Sequence, residues 1–226
     1  MRASRRSSAR CGSRVASSGP VATVLALFEG RDPSGEGLLQ KQRPSPLAPA
    51  LRAAIVAALP PEGALTPSAS EALKIASLDP IFASHERKDL VVVKVIDVGY
   101  AFVGLHARMV LLLSRDALAV VTAGELQALA IHELAHELVW DEYQAAIAAR
   151  DEARMQELEL LCDGIAVLML KRLDRAPDDL IRAVTKMVRH NEGLGTRDAV
   201  RSHVSLKDRK YFIQRVAALT DGPSSR

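Results

Sequence analysis

The sequence has few cysteines, few aromatic residues and no long apolar run. Its only cysteines are Cys11 and Cys162, in a chain of 226 residues, so the fold is not held by a disulfide framework. No apolar run approaches the roughly 18 residues of a membrane-spanning helix, which predicts a chain without a transmembrane segment. Aromatic residues make up 4% of the chain, and the 48% hydrophobic content must therefore supply a core of aliphatic side chains.

Acidic residues are absent before Glu29, whereas this N-terminal stretch is rich in arginine. Without it the chain is close to neutral, so the formal charge of +3 does not indicate nucleic-acid binding. Residues 1–45 are rich in Ser, Arg and Pro, which predicts a tail or linker or a targeting segment. The apolar run Val21 to Phe28 is about as short as a signal-peptide core can be, and no clear cleavage site follows it. We therefore expect a soluble protein, in the cytoplasm rather than exported.

The remaining chain divides into a short helical lead-in, residues 46–85, and a larger domain, residues 86–220. Segments dense in Val and Ile predict strands at 90–98 and 109–113, joined by a hairpin connection or a short extra strand. Apolar periodicity and start signals predict helices at about 51–59, 68–77, 123–142, 151–173, 178–191 and 206–219. Because the strands precede the long helices, we expect an α+β domain with a small sheet and a mainly helical half.

The first long helix carries the motif His132-Glu133-Leu134-Ala135-His136. Residues four apart share one face of a helix, so the two imidazoles can bind one metal ion. Glu133 can then reach the attacking water as general base. The helix is apolar almost all round, which indicates that it is buried and that its polar side chains need partners. The five-residue pattern also occurs by chance, and a metal site needs a third ligand.

The second long helix offers two carboxylates, Glu159 and Asp163, on a face that continues through Ala166 and Leu170. Glu159 would complete a tetrahedral His, His, Glu site for Zn²⁺ with one open position. Asp163 would accept a hydrogen bond from a ligand imidazole and fix its tautomer. A solvated acidic stripe is the alternative interpretation of these carboxylates. Cys162 is an alternative ligand, although a cysteine in a helix is more often a small buried apolar residue.

These two helices together resemble those of the gluzincin metallopeptidases. The order of three further motifs resembles the HtpX and CAAX-prenyl-endopeptidase type. Gly124-Glu125-Leu126 opens the motif helix, the Glu159 to Asp163 segment follows, and Ser202-His203 comes later. The resemblance covers roughly Val91 to Val216 and implies a zincin-like domain. It also implies zinc on the two histidines and Glu159, with base catalysis by the motif glutamate.

The same resemblance assigns His203 to stabilising the oxyanion, with Arg209 as a further candidate. This chain has Val204 where the family usually has proline. The resemblance also implies that an edge strand of the sheet binds a peptide or protein substrate as an added strand. We expect that edge near Met109 to Leu113.

The sequence therefore predicts a zinc metalloendopeptidase that hydrolyses peptide bonds with metal-activated water. Two other classes of function stay open. One is a catalytically silent zinc-binding module with a binding or regulatory role, and the other is an α+β interaction protein without metal. Residues 1 to about 65 could in addition cover the cleft as a pro-segment.

Overall fold

The computed structural model describes residues 19–29, 45–59, 64–196 and 204–221. These residues form an α+β fold with a small mixed sheet and a mainly helical remainder, as predicted. The strands are β1 (Val92–Ile96), β2 (Val103–His106) and β3 (Val110–Ser114). The helices are α1 (Pro20–Phe28), α2 (Pro49–Ala57), α3 (Ala69–Ala76), α4 (Asp79–Ser84), α5 (Arg115–Val120), α6 (Ala123–Ala135), α7 (Trp140–Ala149), α8 (Glu152–Arg172), α9 (Asp178–Gly193) and α10 (Leu206–Thr220). None of these helices combines the length and the apolar composition needed to cross a membrane.

The sheet has the strand order β1-β3-β2, with β3 parallel to β1 and antiparallel to β2. The expectation that Met109 to Leu113 forms the exposed edge is therefore wrong, because this segment runs into the central strand. Its side chains are buried, apart from the partly buried Leu112, and its backbone pairs on both sides. The outer side of β1 is partly covered, since Leu65 pairs with Val95 there. The edge that remains next to the helical half is β2.

The segment Pro20–Phe28, expected to belong to a tail or linker, instead forms α1 and enters the core. Val24, Leu25 and Phe28 are buried, and the helix packs on α8 and α10. The Phe28 ring lies directly on Gly164, where a Cβ atom would come within 2.2 Å of it. It also meets the Phe212 ring edge to face, with the ring centroids 5.8 Å apart. This apolar contact between distant parts of the chain explains why local composition gave the wrong prediction.

The predicted lead-in is helical, and it is joined to the domain by hydrogen bonds. The predicted helices near 51–59 and 68–77 correspond to α2 and α3, and α3 begins with a capping box of Ser68 and Glu71. Lys74 donates to the carbonyl oxygens of Leu118 and Val121 at the end of α5. The lead-in is thus part of the folded unit rather than a separate covering segment.

The motif helix is shorter than the predicted span of 123–142. It begins with a capping box of Thr122 and Glu125, but α6 ends at Ala135 and a 3₁₀ turn follows, His136–Val139. Glu137 in this turn is buried, and Arg87 Nε donates to both of its carboxylate oxygens. This long-range ion pair accompanies the break and could not be anticipated from helix propensity. The other three predicted long helices correspond to α8, α9 and α10 within two residues at each end.

Candidate metal centre

The motif residues lie on the inner face of α6 and at its end. The His132 side chain is 5% exposed and the His136 side chain 12% exposed. One ligand atom from each of His132, Glu133 and His136 can be chosen so that all three atoms lie within 4.8 Å of one another. The i, i+4 spacing therefore brings both imidazoles together, as the sequence predicted.

Glu159 reaches the same point from α8, which packs alongside α6. Its Oε2 atom lies 3.4 Å from Nε2 of His132, and its Oε1 atom lies 3.7 Å from Nε2 of His136. Zinc bonds of about 2.0–2.1 Å in a tetrahedron place neighbouring ligand atoms about 3.3 Å apart. The two distances from Glu159 to the imidazoles are close to that value, and the donor chemistry of the three side chains is one that zinc accepts.

Asp163 lies one turn further along α8 and is fully buried. Its Oδ1 atom is 2.9 Å from Nδ1 of His132, a close charge contact that is not aligned as a hydrogen bond. Arg209 of α10 holds the same carboxylate with two hydrogen bonds, from Nε at 2.8 Å and from Nη2 at 2.5 Å. The solvated-stripe interpretation is therefore wrong for Asp163, and Glu159, with 13% of its side chain exposed, is also largely buried.

The buried groups of the cluster shift one another's pKa values. Burial disfavours a charged His132, but Asp163 and Glu159 outweigh it and raise the pKa of His132 to about 10. Burial lowers the pKa of His136 to about 4, so this ring is neutral near neutral pH. Burial raises the pKa of Glu133 to about 7. It opposes the charge on Glu159 too, yet the two imidazoles hold the pKa of Glu159 well below its ordinary range.

Tyr143 of α7 is a member of the site that the sequence analysis missed. Its hydroxyl donates to Glu159 Oε1 at 2.9 Å, and its ring meets the His136 ring edge to face with a centroid distance of 5.0 Å. Burial, followed by the charge of Glu159, raises the pKa of Tyr143, which keeps the hydroxyl a donor. The 3₁₀ turn separates Tyr143 from the motif helix, so no periodic spacing identifies it, and only the packing of α7 on α8 reveals its partner.

The cluster opens into a cavity of about 540 Å³. One wall is the edge strand β2 with the preceding Phe102, and another is α9 with Val184, Met187 and Val188. These walls are joined at one end by Asn191, whose side chain accepts from the Ala101 N–H and donates to the Ala101 carbonyl oxygen. Such a volume is in the usual range of ligand-binding clefts, roughly 300–1,000 Å³.

The remaining candidates have different outcomes. His203, expected to stabilise the oxyanion, lies outside the described residues. Arg209 lines the cavity, and two of its nitrogen atoms are bonded to Asp163. Cys162 is fully buried, and burial raises the pKa of its thiol well above the ordinary value, which suits a small apolar residue better than a thiolate ligand. No described residue before Phe102 lines the cavity, so the described parts of the first 65 residues do not cover it.

No family model, no curated protein and no solved structure matches the chain. The resemblance to gluzincins therefore depends on the sequence motifs alone.

Proposed function

We propose that this protein is a zinc-dependent endopeptidase of the gluzincin type. The observation that supports the proposal is that Glu159 lies 3.4 Å from Nε2 of His132 and 3.7 Å from Nε2 of His136, with all three side chains lining one cavity. Glu133 lies in the same cavity wall, where a general base is needed. A purely structural zinc site would usually close its fourth position with a further protein ligand, and it would have no need of this acid.

The chemistry divides between the metal and the chain. A bound zinc ion would supply Lewis acidity to the scissile carbonyl and to the attacking water. Glu133 would take the proton from that water and return it to the leaving amine. Leu105 N–H donates to Glu133 Oε2 at 3.1 Å, which orients the carboxylate towards the edge strand. Asp163, anchored by Arg209, would keep His132 in place.

The substrate would bind along β2. The Phe102 carbonyl oxygen accepts from Ser114 N–H on the β3 side, whereas Leu105 N–H points to Glu133 on the opposite side. Because successive residues of a strand alternate in direction, Val103 also turns its backbone groups away from β3. An extended peptide could pair with the Val103 backbone groups. The apolar side chains Leu129, Val184, Met187 and Val188 line the cavity, so we expect a substrate with an apolar side chain near the scissile bond.

The test is Glu133→Gln, assayed with casein and a peptide library. The change keeps the shape of the side chain but removes the base. We therefore expect bound zinc to be retained and the rate of hydrolysis to fall by about 10²–10⁴-fold. Glu152→Gln, an exposed position at the start of α8, is the matched control and should leave hydrolysis unchanged. Turnover by Glu133→Gln at the wild-type rate would contradict the mechanism.

Zinc content and cleavage, measured together on the wild-type chain, separate the other two classes of function. Stoichiometric zinc without cleavage of any substrate would favour the catalytically silent zinc-binding module. Absence of zinc from the purified wild-type chain would favour a metal-free interaction protein.

A further inference from the structure

Tyr143 touches two of the three proposed zinc ligands at once. Its hydroxyl hydrogen-bonds Glu159 Oε1 at 2.9 Å, and its ring packs against that of His136. The residue is partly buried and lines the cavity beside the ligands. No other hydroxyl group among the described residues is recorded on a carboxylate of this cluster.

The contacts of Glu159 explain why the Tyr143 hydroxyl affects the orientation of this carboxylate. Its two oxygen atoms face different histidines, Oε2 towards His132 at 3.4 Å and Oε1 towards His136 at 3.7 Å. The carboxylate could turn about its last side-chain bond, whose torsion is broad. The Tyr143 hydroxyl binds Oε1 from outside the ligand set and so fixes that torsion. His132 has comparable support from Asp163, which Arg209 anchors.

We propose that Tyr143 is the positioning residue for two zinc ligands: its hydroxyl orients Glu159 and its ring holds His136. The inference rests on the proposed zinc site, and it predicts that zinc affinity depends on an atom that does not itself bind the metal. Loss of such supporting hydrogen bonds typically weakens metal binding by about 10–100-fold.

The experiment compares Tyr143→Phe with Tyr211→Phe in the full-length chain. Tyr143→Phe removes the hydroxyl and keeps the ring against His136. Tyr211 lies on α10 with 45% of its surface exposed and does not line the cavity, so its substitution removes the same atom outside the site. Zinc affinity is measured by competition with a chelating indicator, and circular dichroism with thermal unfolding verifies that each variant is folded. We expect a zinc dissociation constant about 10–100-fold higher for Tyr143→Phe and unchanged for Tyr211→Phe.

Two further measurements show whether the hydroxyl acts through Glu159. In a Glu159→Ala background, Tyr143→Phe should have no further effect on zinc affinity. With Co²⁺ as the probe, the visible absorption bands should shift in Tyr143→Phe and coincide with wild type in Tyr211→Phe.

Wild-type zinc affinity and an unaltered Co²⁺ spectrum in folded Tyr143→Phe would overturn the inference and leave the proposed function intact. The inference would also be overturned if Tyr143→Phe lowered zinc affinity by the same factor in the Glu159→Ala background as in the wild-type chain. Failure of the wild-type chain to bind zinc would remove the proposed function and this inference together, so the two failures are distinguishable.

Discussion

Asp163 connects the candidate metal centre to the C-terminal helix. It is fully buried between His132 and Arg209, and Arg209 is itself only 7% exposed. Asp163→Asn would leave the buried guanidinium without a hydrogen-bonded carboxylate, because no other described carboxylate is hydrogen-bonded to it. We expect the free energy of unfolding to fall by about 3–5 kcal/mol, measured by urea denaturation.

Asp178→Asn is the matched control for this substitution. Asp178 is exposed in the first turn of α9, so its replacement should change stability by no more than about 0.5 kcal/mol. Equal stability of the two variants would show that the buried pair does not support the fold.

Single residues differ in how far the sequence reveals them. The histidines of the motif and the pair Glu159 and Asp163 follow from i, i+4 spacing on apolar helices, and the structure brings them together. The bond between Tyr143 and Glu159, and the pairing of Arg209 with Asp163, depend on how separate helices pack. No local pattern encodes these contacts, so they could not be predicted.

At the scale of elements, α1 packs against α8, the helix that carries Glu159 and Asp163. Phe28 is 6% exposed and fills the space above Gly164, next to Asp163 on α8. Phe28→Ala would leave a cavity there, and we expect a loss of about 3–5 kcal/mol in the free energy of unfolding. Leu27→Ala, on the same helix but 38% exposed, is the control and should cost less than about 1 kcal/mol. Similar losses in the two variants by thermal or urea unfolding would mean that α1 is not docked as described.

The start of α6 should show a pH-dependent contribution to stability. Glu125 is 2% exposed, accepts from Thr122 N–H at 2.8 Å and pairs with Lys186 Nζ at 2.7 Å. Burial opposes its charge, but these partners keep the pKa of Glu125 below its ordinary value of 4.5. A depressed folded-state pKa stabilises the fold at pH values above the unfolded-state pKa, and this contribution is lost as the pH falls through the folded-state value.

Glu125→Gln preserves the shape of the capping box and removes the charge. We expect it to cost about 1 kcal/mol near pH 7 and progressively less below about pH 4.5, measured by urea unfolding of both proteins. If the difference in unfolding free energy between wild type and Glu125→Gln were the same at pH 7 and below about pH 4.5, the assignment would be contradicted.

The elements themselves were predictable where local signals are strong. A capping box at Thr122 begins α6, and the Ser205 side chain caps the start of α10. The break after Ala135 was not predictable, because it accompanies the buried contact of Glu137 with Arg87. The identity of the edge strand was also missed, since strand order depends on pairing between segments rather than on the composition of either one.

At the scale of the whole molecule, the site lies where the helical half meets the sheet. The helices α6 and α8 supply the proposed ligands, α7 and α10 support them, and β2 offers the edge next to Glu133. The lead-in helices and α1 pack elsewhere on this unit and leave the cavity wall to residues from Phe102 onwards. The described N-terminal segments therefore leave the cavity uncovered.

The most direct test is the zinc content of the purified wild-type chain and of Glu159→Ala by elemental analysis, paired with peptide cleavage before and after chelation. We predict one zinc per wild-type chain, markedly weaker binding in the variant, and cleavage that a chelator abolishes and added zinc restores. A folded wild-type protein that binds no zinc under zinc-replete conditions would contradict the account.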